Sequence, residues 1–464
     1  MATPALGTPT PPPLSTTPST WRLKRQQSEK QEAEAAQAAT ALQLARLHAS
    51  SLHFVQAYIH ADTGRTDREP EALVAFTRRL ETVLTGAPAA VRMAVLLELK
   101  AGEANHRQVL LLTAEDDAHI VLKSCATDSF ADAHAEHLTG LLAQRVGVSS
   151  PLVRASRQVT PIVERLRALR TDGRIVALPS EELQTGLWGA QQLSTPFIYA
   201  MSAAKGKTLL ELRPTERRQL QPAAVLPAVG RLAALDALIN NWDRWPLPTL
   251  WQKNRDYLGM SDLELREVCS PMRHVDSTVN IGALEADTLL RACGCNLGNV
   301  LFHALTSAVA SIDTCIIPGA PTDYDTRVGA LVDEVIEAHE AKRASRGLRV
   351  FQAVMAAALQ IDDPGYQISA SEQSELLQRG FLEGLVRAAE LSNDELAALE
   401  VKTLEGTDLV VGAAKKPALL SPAVRDSVTK HVGEAKQLVE RTIAVVQERL
   451  PRILHALLPS PSSP

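Results

Sequence analysis

Apolar positions recur along this chain with two different periods, and the change from one to the other divides it. From about residue 90 the runs VRMAVLLELKAG, QVLLLTAEDD and HIVLKSC are strand-length and apolar, parted by polar turns. In the third run Ile120 and Leu122 share one face, and Val121 and Lys123 the other. Phe130, His134, Leu138, Leu141 and Leu142 then fall at helical spacing within SFADAHAEHLTGLLAQRVG, and Pro151 opens an extended segment. Residues 164–195 carry no period and are expected to form an irregular loop or partial insertion. TPFIYAMS has the composition of a buried strand, and AAKGKTLLEL reads as a turn running into a helix. Beyond residue 210 the helical period dominates. PAAVLPAVGRLAALDALINN is one helix, whose last turn delivers Asn240, Asn241 and Asp243. NVLFHALTSAVASID predicts two short strands, and residues 325–458 are amphipathic helix nearly throughout. No internal repeat is evident.

Upstream, residues 1–25 are rich in Pro, Ser and Thr and are expected to be disordered. Residues 26–86 form a helical extension. It holds a loose stripe at Leu42, Leu47, Phe54 and Ile59, then a shorter helix, EALVAFTRRLETVLTG, closed by Gly86. A sheet-rich half with one helix followed by a helix-rich half predicts an α+β, two-lobed architecture.

Composition narrows the function classes. The 464 residues are 45% apolar and 22% charged, as in a soluble globular protein. A net charge of −5 offers no basic field for nucleic acid or an anionic membrane. No apolar run approaches the roughly 20 residues of a membrane span. Cys125, Cys269, Cys293, Cys295 and Cys315 are too scattered for a disulfide framework and point to a reducing, cytoplasmic setting. The first 28 residues lack acidic groups, which an organellar transit peptide shares with plain disorder.

Among candidate motifs, Gly206-Lys207-Thr208 lacks the glycine a phosphate loop needs at position 201, which is Met201. Cys269, His274, Cys293 and Cys295 fit no common zinc spacing. Lys123 is more informative, because a lysine within an apolar strand must meet an anion or emerge into a cleft. Glu136 on the next helix is placed to reach it. Further along come Asp243 at a helix end within INNWDRWPL, Asn299 just before a strand and Asp313 just after one. Taken singly, none is specific. In this order they make up the set that phosphoryl transfer from ATP uses: a lysine on the phosphates fixed by a glutamate, an aspartate on the attacking hydroxyl, and an asparagine and aspartate on Mg²⁺.

These stretches resemble the actin-fragmin kinase family, an atypical branch of the protein-kinase-like fold. The resemblance is carried by the segment from Val229 through INNWDRWPL, by CNLGNVLF at 295–302 and by SIDTCI at 311–316. FADAHAEHLTGLLAQRVGVSSP, IYAMSAAKGKTLLEL and ELLQRGFLEGLVRAAEL support it over roughly residues 90–400. It implies a small antiparallel-sheet N-lobe at 87–204 and a large, mainly helical C-lobe at 205–458. An insertion near 252–292 and a short disordered tail at 459–464 complete the expected organisation. Lys123 would be the nucleotide lysine, Glu136 its partner and Asp243 the catalytic aspartate, with Arg244 anchoring the loop. Trp242 and Trp245 would be packing that holds the aspartate still. Asn299 and Asp313 would be the Mg²⁺ ligands, and the hinge at Tyr199, Ala200, Met201 and Ser202 would meet adenine through backbone groups.

The expected reaction is ATP- and Mg²⁺-dependent phosphorylation of Ser or Thr on a folded protein, by analogy actin or an actin-capping complex. This sequence departs from the family in three places. The candidate phosphate-covering loop, AGEANHRQ at 101–108, holds only Gly102; 56 positions separate Asp243 from Asn299; and Cys295 stands where the family tends to have glycine. The glycine-poor loop leaves open a pseudokinase acting as a binding scaffold. The Asp-Arg-then-Asn loop leaves open a phosphoinositide or small-molecule kinase, against which the missing basic patch argues.

Overall fold

A computed structural model of the chain describes residues 78–80, 82–84, 91–99, 108–114, 119–125, 130–151, 153–156, short pieces between 164 and 176, 197–202, 206–209, 212–241, 244–245, 247, 250, 299–312, 314, 316–359, 368–406 and 422–458. All of them fall within one compact unit, Tyr58–Pro464. The expected tail and most of the helical extension, the 252–292 insertion, the four zinc candidates, Gly102 and Trp242 lie outside the described residues.

The sheet is built from β1 (Val91–Leu99), β2 (Gln108–Ala114), β3 (His119–Cys125), β4 (Val153–Ser156), β5 (Ile175–Val176) and β6 (Phe197–Ser202). Its spatial order is β4-β6-β3-β2-β1-β5. Every pairing is antiparallel except that of β1 with β5. The alternation read in β3 holds: Ile120 and Leu122 are fully buried and Val121 is half-buried. Between β3 and β4 runs α1 (Phe130–Val146). It is tied to β4 by His137, whose Nδ1 lies 2.8 Å from the Val153 carbonyl oxygen.

One sequence expectation gave way here. The stretch from 164 to 195, read as irregular, contributes β5, a two-residue strand that adds to β1 in parallel. Two residues are too few to show a period. In the expected turn, of which 206–209 are described, Lys207 pairs its backbone with Phe302 at 3.0 and 2.8 Å, and the next described helix is α2 (Pro214–Arg217).

The helical part holds α3 (Pro222–Leu238), α4 (Tyr324–Glu340), α5 (Arg349–Leu359), α6 (Ala370–Ala389), α7 (Asn393–Gly406) and α8 (Pro422–Leu457). A hairpin, β7 (Val300–His303) and β8 (Ala308–Ser311), joins the two regions. It bridges to Ser149 beyond α1 through Ala310, and to Lys207 beyond β6 through Phe302. The architecture is therefore mixed α+β, a small, mainly antiparallel sheet with a larger body of helices.

The centre of the helical body is the crossing of α3 and α6. Gly230 and Gly380 let the two backbones meet. A Cβ on Gly230 would lie 2.7 Å from the Phe381 nitrogen, and one on Gly380 would lie 2.5 Å from Pro227 Cα. One turn along, a Cβ on Gly384 would lie 3.2 Å from Arg231 Cα. Arg231 clamps the same crossing, donating to Glu383 Oε2 at 3.2 Å and to the Gly147 carbonyl at 3.3 Å. Helix α3 is apolar almost all round, as a helix packed on every side must be.

Candidate functional site

The site is assembled at the C-terminal end of α3. A helix leaves its last carbonyls without partners, and here each is taken by a different part of the chain. Asn240 adopts a left-handed backbone (φ 56°), which asparagine tolerates better than most residues. The Asn241 N–H then folds back onto the Asp236 carbonyl at 3.0 Å, a left-handed helix stop with asparagine in the usual glycine place. Tyr324, the first residue of α4, donates its hydroxyl to the Ala237 carbonyl at 2.6 Å. Thr442 of α8 donates to the Leu238 carbonyl at 3.0 Å. Ile317 N–H donates to the Ile239 carbonyl at 3.1 Å, and Asn240 Nδ2 donates to the Ile317 carbonyl at 2.9 Å. Burial, and then the charge of Asp236, push the Tyr324 phenol well above its usual range, so it remains a neutral donor.

Beyond this stop lies a buried ion pair. Arg244 and Asp236 are both fully buried, with Arg244 Nη1 2.5 Å from Asp236 Oδ1. Asn241 Nδ2 donates to the same oxygen at 3.0 Å. The other end of the guanidinium, Nη2, donates to Ser311 Oγ at 2.6 Å and also to Thr314 Oγ1. The Ser311 and Thr314 hydroxyls are themselves hydrogen-bonded. Trp245 is fully buried behind this network, edge-on to Phe351 with ring centroids 5.1 Å apart. Arg244 thus anchors the loop and Trp245 packs it, as the sequence suggested for both.

Arg244 also links two stretches that are distant in sequence. Asn299 and Ile312 flank the open end of the β7–β8 hairpin. Val300 is in register with Ser311, and Ile312 N–H donates to the Asn299 carbonyl at 3.1 Å. Asn299 is buried and engaged. Asp313 stands between Ile312 and Thr314 in sequence, and Asp243 immediately precedes Arg244. The neighbours of Asp243, Asn299 and Asp313 are therefore brought together by Arg244 and the hairpin, although Asp243 and Asp313 lie outside the described residues.

On the sheet side, Lys123 occupies β3 in register with Val109 of β2 and Tyr199 of β6. Glu136 is half-buried on α1 and is engaged in an interaction. The side chain of Lys123 lies outside the described ones. Tyr199, Ala200 and Met201 are in register with β3 on one side and β4 on the other. Their backbone groups are therefore occupied by the ladders. Among the described residues, Ser202 has a register partner only in β3, Ile120.

The Gly206-Lys207-Thr208 turn serves a structural purpose. Gly206 has φ 147° and backs directly onto Phe302, so that a Cβ there would lie 2.9 Å from the Phe302 carbonyl oxygen. Lys207 Nζ pairs with Glu216 Oε1 at 2.7 Å on the surface. That bond, and the Arg213 N–H, hold the Glu216 carboxyl below the usual carboxylate range.

Sequence reading missed Asp236, Ser311, Thr314 and Tyr324. A signal for Asp236 was present: an aspartate within the apolar run AALDALI must find a partner when buried. Among the described residues, no group of three His, Cys, Asp or Glu is placed to hold a metal ion, and no helix is long and apolar enough to cross a membrane. Set against protein-family models and curated proteins, the sequence matches none.

Proposed function

We propose that the chain transfers the γ-phosphoryl group of ATP to Ser or Thr of a folded protein, with Asp243 orienting the attacking hydroxyl. The observation that carries this reading is the Arg244 guanidinium. Arg244, the residue after Asp243, is tied to α3 through Asp236 and to Ser311 and Thr314, between which Asp313 falls in the sequence. Phosphoryl transfer is mostly positioning and electrostatics, so a rigid link between these two stretches is what such a reaction requires. The order of elements supports the same reading. A lysine on the third strand, a glutamate on the next helix, three further strands and a helical body fit a two-lobed, protein-kinase-like fold.

In this reading Lys123, fixed by Glu136, would hold the nucleotide phosphates. Asn299 and Asp313 would hold Mg²⁺, an amide and a carboxylate being hard oxygen donors of the kind that ion takes together with phosphate. The bound Mg²⁺ would supply charge neutralisation at the phosphate oxygens. Because the backbone of Tyr199–Met201 is already paired on both sides, adenine would meet the chain at Ser202 or just beyond it. The substrate class, with actin or an actin complex as its example, rests on the family resemblance alone.

The single glycine in AGEANHRQ favours one rival, a nucleotide-binding scaffold without turnover. The separating experiment is transfer of radiolabelled phosphate from ATP to actin, to generic proteins and to phosphoinositide vesicles, in wild type and Asp243→Asn. Transfer to protein that falls by about 10²–10⁴ in the variant, with the melting transition unchanged, is the expected result. Equal activity in the two proteins would remove Asp243 from the mechanism. Thermal stabilisation by Mg-ATP without transfer to any acceptor would favour the scaffold.

A further inference from the structure

The far end of α4 carries a feature that phosphoryl transfer does not use. The helix stops at Ala341 with Lys342 in a left-handed backbone (φ 51°), its N–H donating to the His339 carbonyl at 3.1 Å and that of Arg343 to the Ala338 carbonyl at 2.9 Å. The chain then turns through AKRASRGLR, residues 341–349, which hold four cations and no acid in a protein of net charge −5. Glu334 shapes the turn from beneath. Its Oε1 accepts from Arg343 Nη1 and the Arg346 N–H, both at 3.0 Å. Its Oε2 accepts from Ser345 Oγ at 2.5 Å and the Gly347 N–H at 3.3 Å. On α6, Gln378 Nε2 donates to the Arg343 carbonyl at 2.7 Å. Over this turn opens a cleft of about 640 Å³ lined by Glu334, Glu337, Arg343, Ala344, Arg346 and Arg349.

With four hydrogen bonds already made, Glu334 has little capacity left for a ligand. Arg343 keeps its side chain 45% exposed even while paired, and Arg346 is exposed. Planar guanidinium forks recognise carboxylates by paired hydrogen bonds. The cleft is too large for one small anion, and Glu337 on its rim disfavours a uniform polyanion such as a nucleic-acid backbone or a lipid surface. We infer that this cleft docks an acidic peptide segment of a protein partner, with Arg343 and Arg346 as the recognising groups. It lies one helix length, about 24 Å, from Tyr324 and the loop that Tyr324 holds. This inference is independent of the phosphoryl-transfer reading.

The test is fluorescence polarisation with the full-length chain and a short fluorescein-labelled peptide of alternating glutamate and alanine, at low and moderate salt. Arg346→Glu leaves the backbone bonds to Glu334 in place, and Arg346→Gln gives a second, milder probe. Arg425→Glu, on the exposed start of α8, is the control. The expected result is saturable binding that weakens at least about tenfold in Arg346→Glu, less in Arg346→Gln and not in the control. Absence of peptide binding, equal loss in the control, or tighter binding of oligothymidylate or phosphatidylserine vesicles would each overturn the inference.

Discussion

Replacing Asp236 by leucine tests whether the buried ion pair holds the candidate site together. Asp236 and Arg244 are both fully buried, so the substitution strands a guanidinium without its counter-charge. Leaving one member of a buried pair costs about 3–5 kcal/mol. A unit of this size unfolds with an entropy near 0.8 kcal/mol/K, so the melting transition should fall by about 4–6 °C. The second arm is Asp236→Leu combined with Arg244→Met, which removes both charges. Replacing a buried pair by apolar groups is often close to neutral, although Ser311 and Thr314 then lose a donor. The double variant should therefore recover at least about 2 kcal/mol relative to the sum of the single changes, a coupling within the range seen for residues in direct contact. Phosphoryl transfer should fall in Asp236→Leu, where Ser311 and Thr314 alone hold the guanidinium, and fall further in the two proteins without Arg244, which lose those bonds as well. Calorimetry and urea unfolding supply the stabilities, and radiolabelled transfer supplies the activity. Strict additivity of the two single changes would refute the reasoning, since it would mean that the groups do not act as a pair.

Two further outcomes follow from the same structure. Gly380→Val drives a side chain into Pro227, where even a Cβ would come within 2.5 Å of Cα. It should lower stability by about 1–3 kcal/mol or more, whereas Gly433→Ala, with open space around the added Cβ, should raise it by up to about 1 kcal/mol; urea midpoints distinguish the two. His339 is held below its ordinary pKa, chiefly by burial and then by Arg379, against the opposing pull of Glu375 and Glu340. The unfolded chain therefore takes up this proton first, and stability should decline as pH falls below the ordinary histidine value of about 6.5. That decline should be shallower in His339→Gln, measured as urea midpoints between pH 7.5 and 5.5.

The elements were legible wherever the hydrophobic period ran long enough to be read. Strand β3, with Ile120 and Leu122 buried, and helix α3, with its apolar residues all round, were fixed by spacing alone. Strand β5 was too short to carry a period, and its partner β1 lies far earlier in the chain, with Ala94 in register with Ile175. Arg244 was suggested as an anchor because it adjoins Asp243. Its partners were not legible, because Ser311 and Thr314 lie 67 and 70 positions away and are polar residues without any distinguishing pattern. The cleft over residues 341–349 was not read from the sequence, because the staple beneath it depends on Glu334, which reads as one more charge on a helix face. Long-range polar contacts leave no periodic trace in a sequence, whereas burial does.

The glycine crossing has a consequence for synthesis. Gly230 and Gly380 touch across 150 positions of chain, and Thr442 reaches Leu238 across 204. At about 5–20 residues per second on the ribosome, α3 emerges roughly 8–30 s before the helix that covers it. Throughout that interval an almost wholly apolar helix has no mate. The nascent chain should therefore be a strong chaperone client until α6 leaves the exit tunnel. The close backbone approach that makes the finished crossing tight also admits few substitutes, so a premature partner with side chains in place of Gly380 and Gly384 would seat poorly and be released.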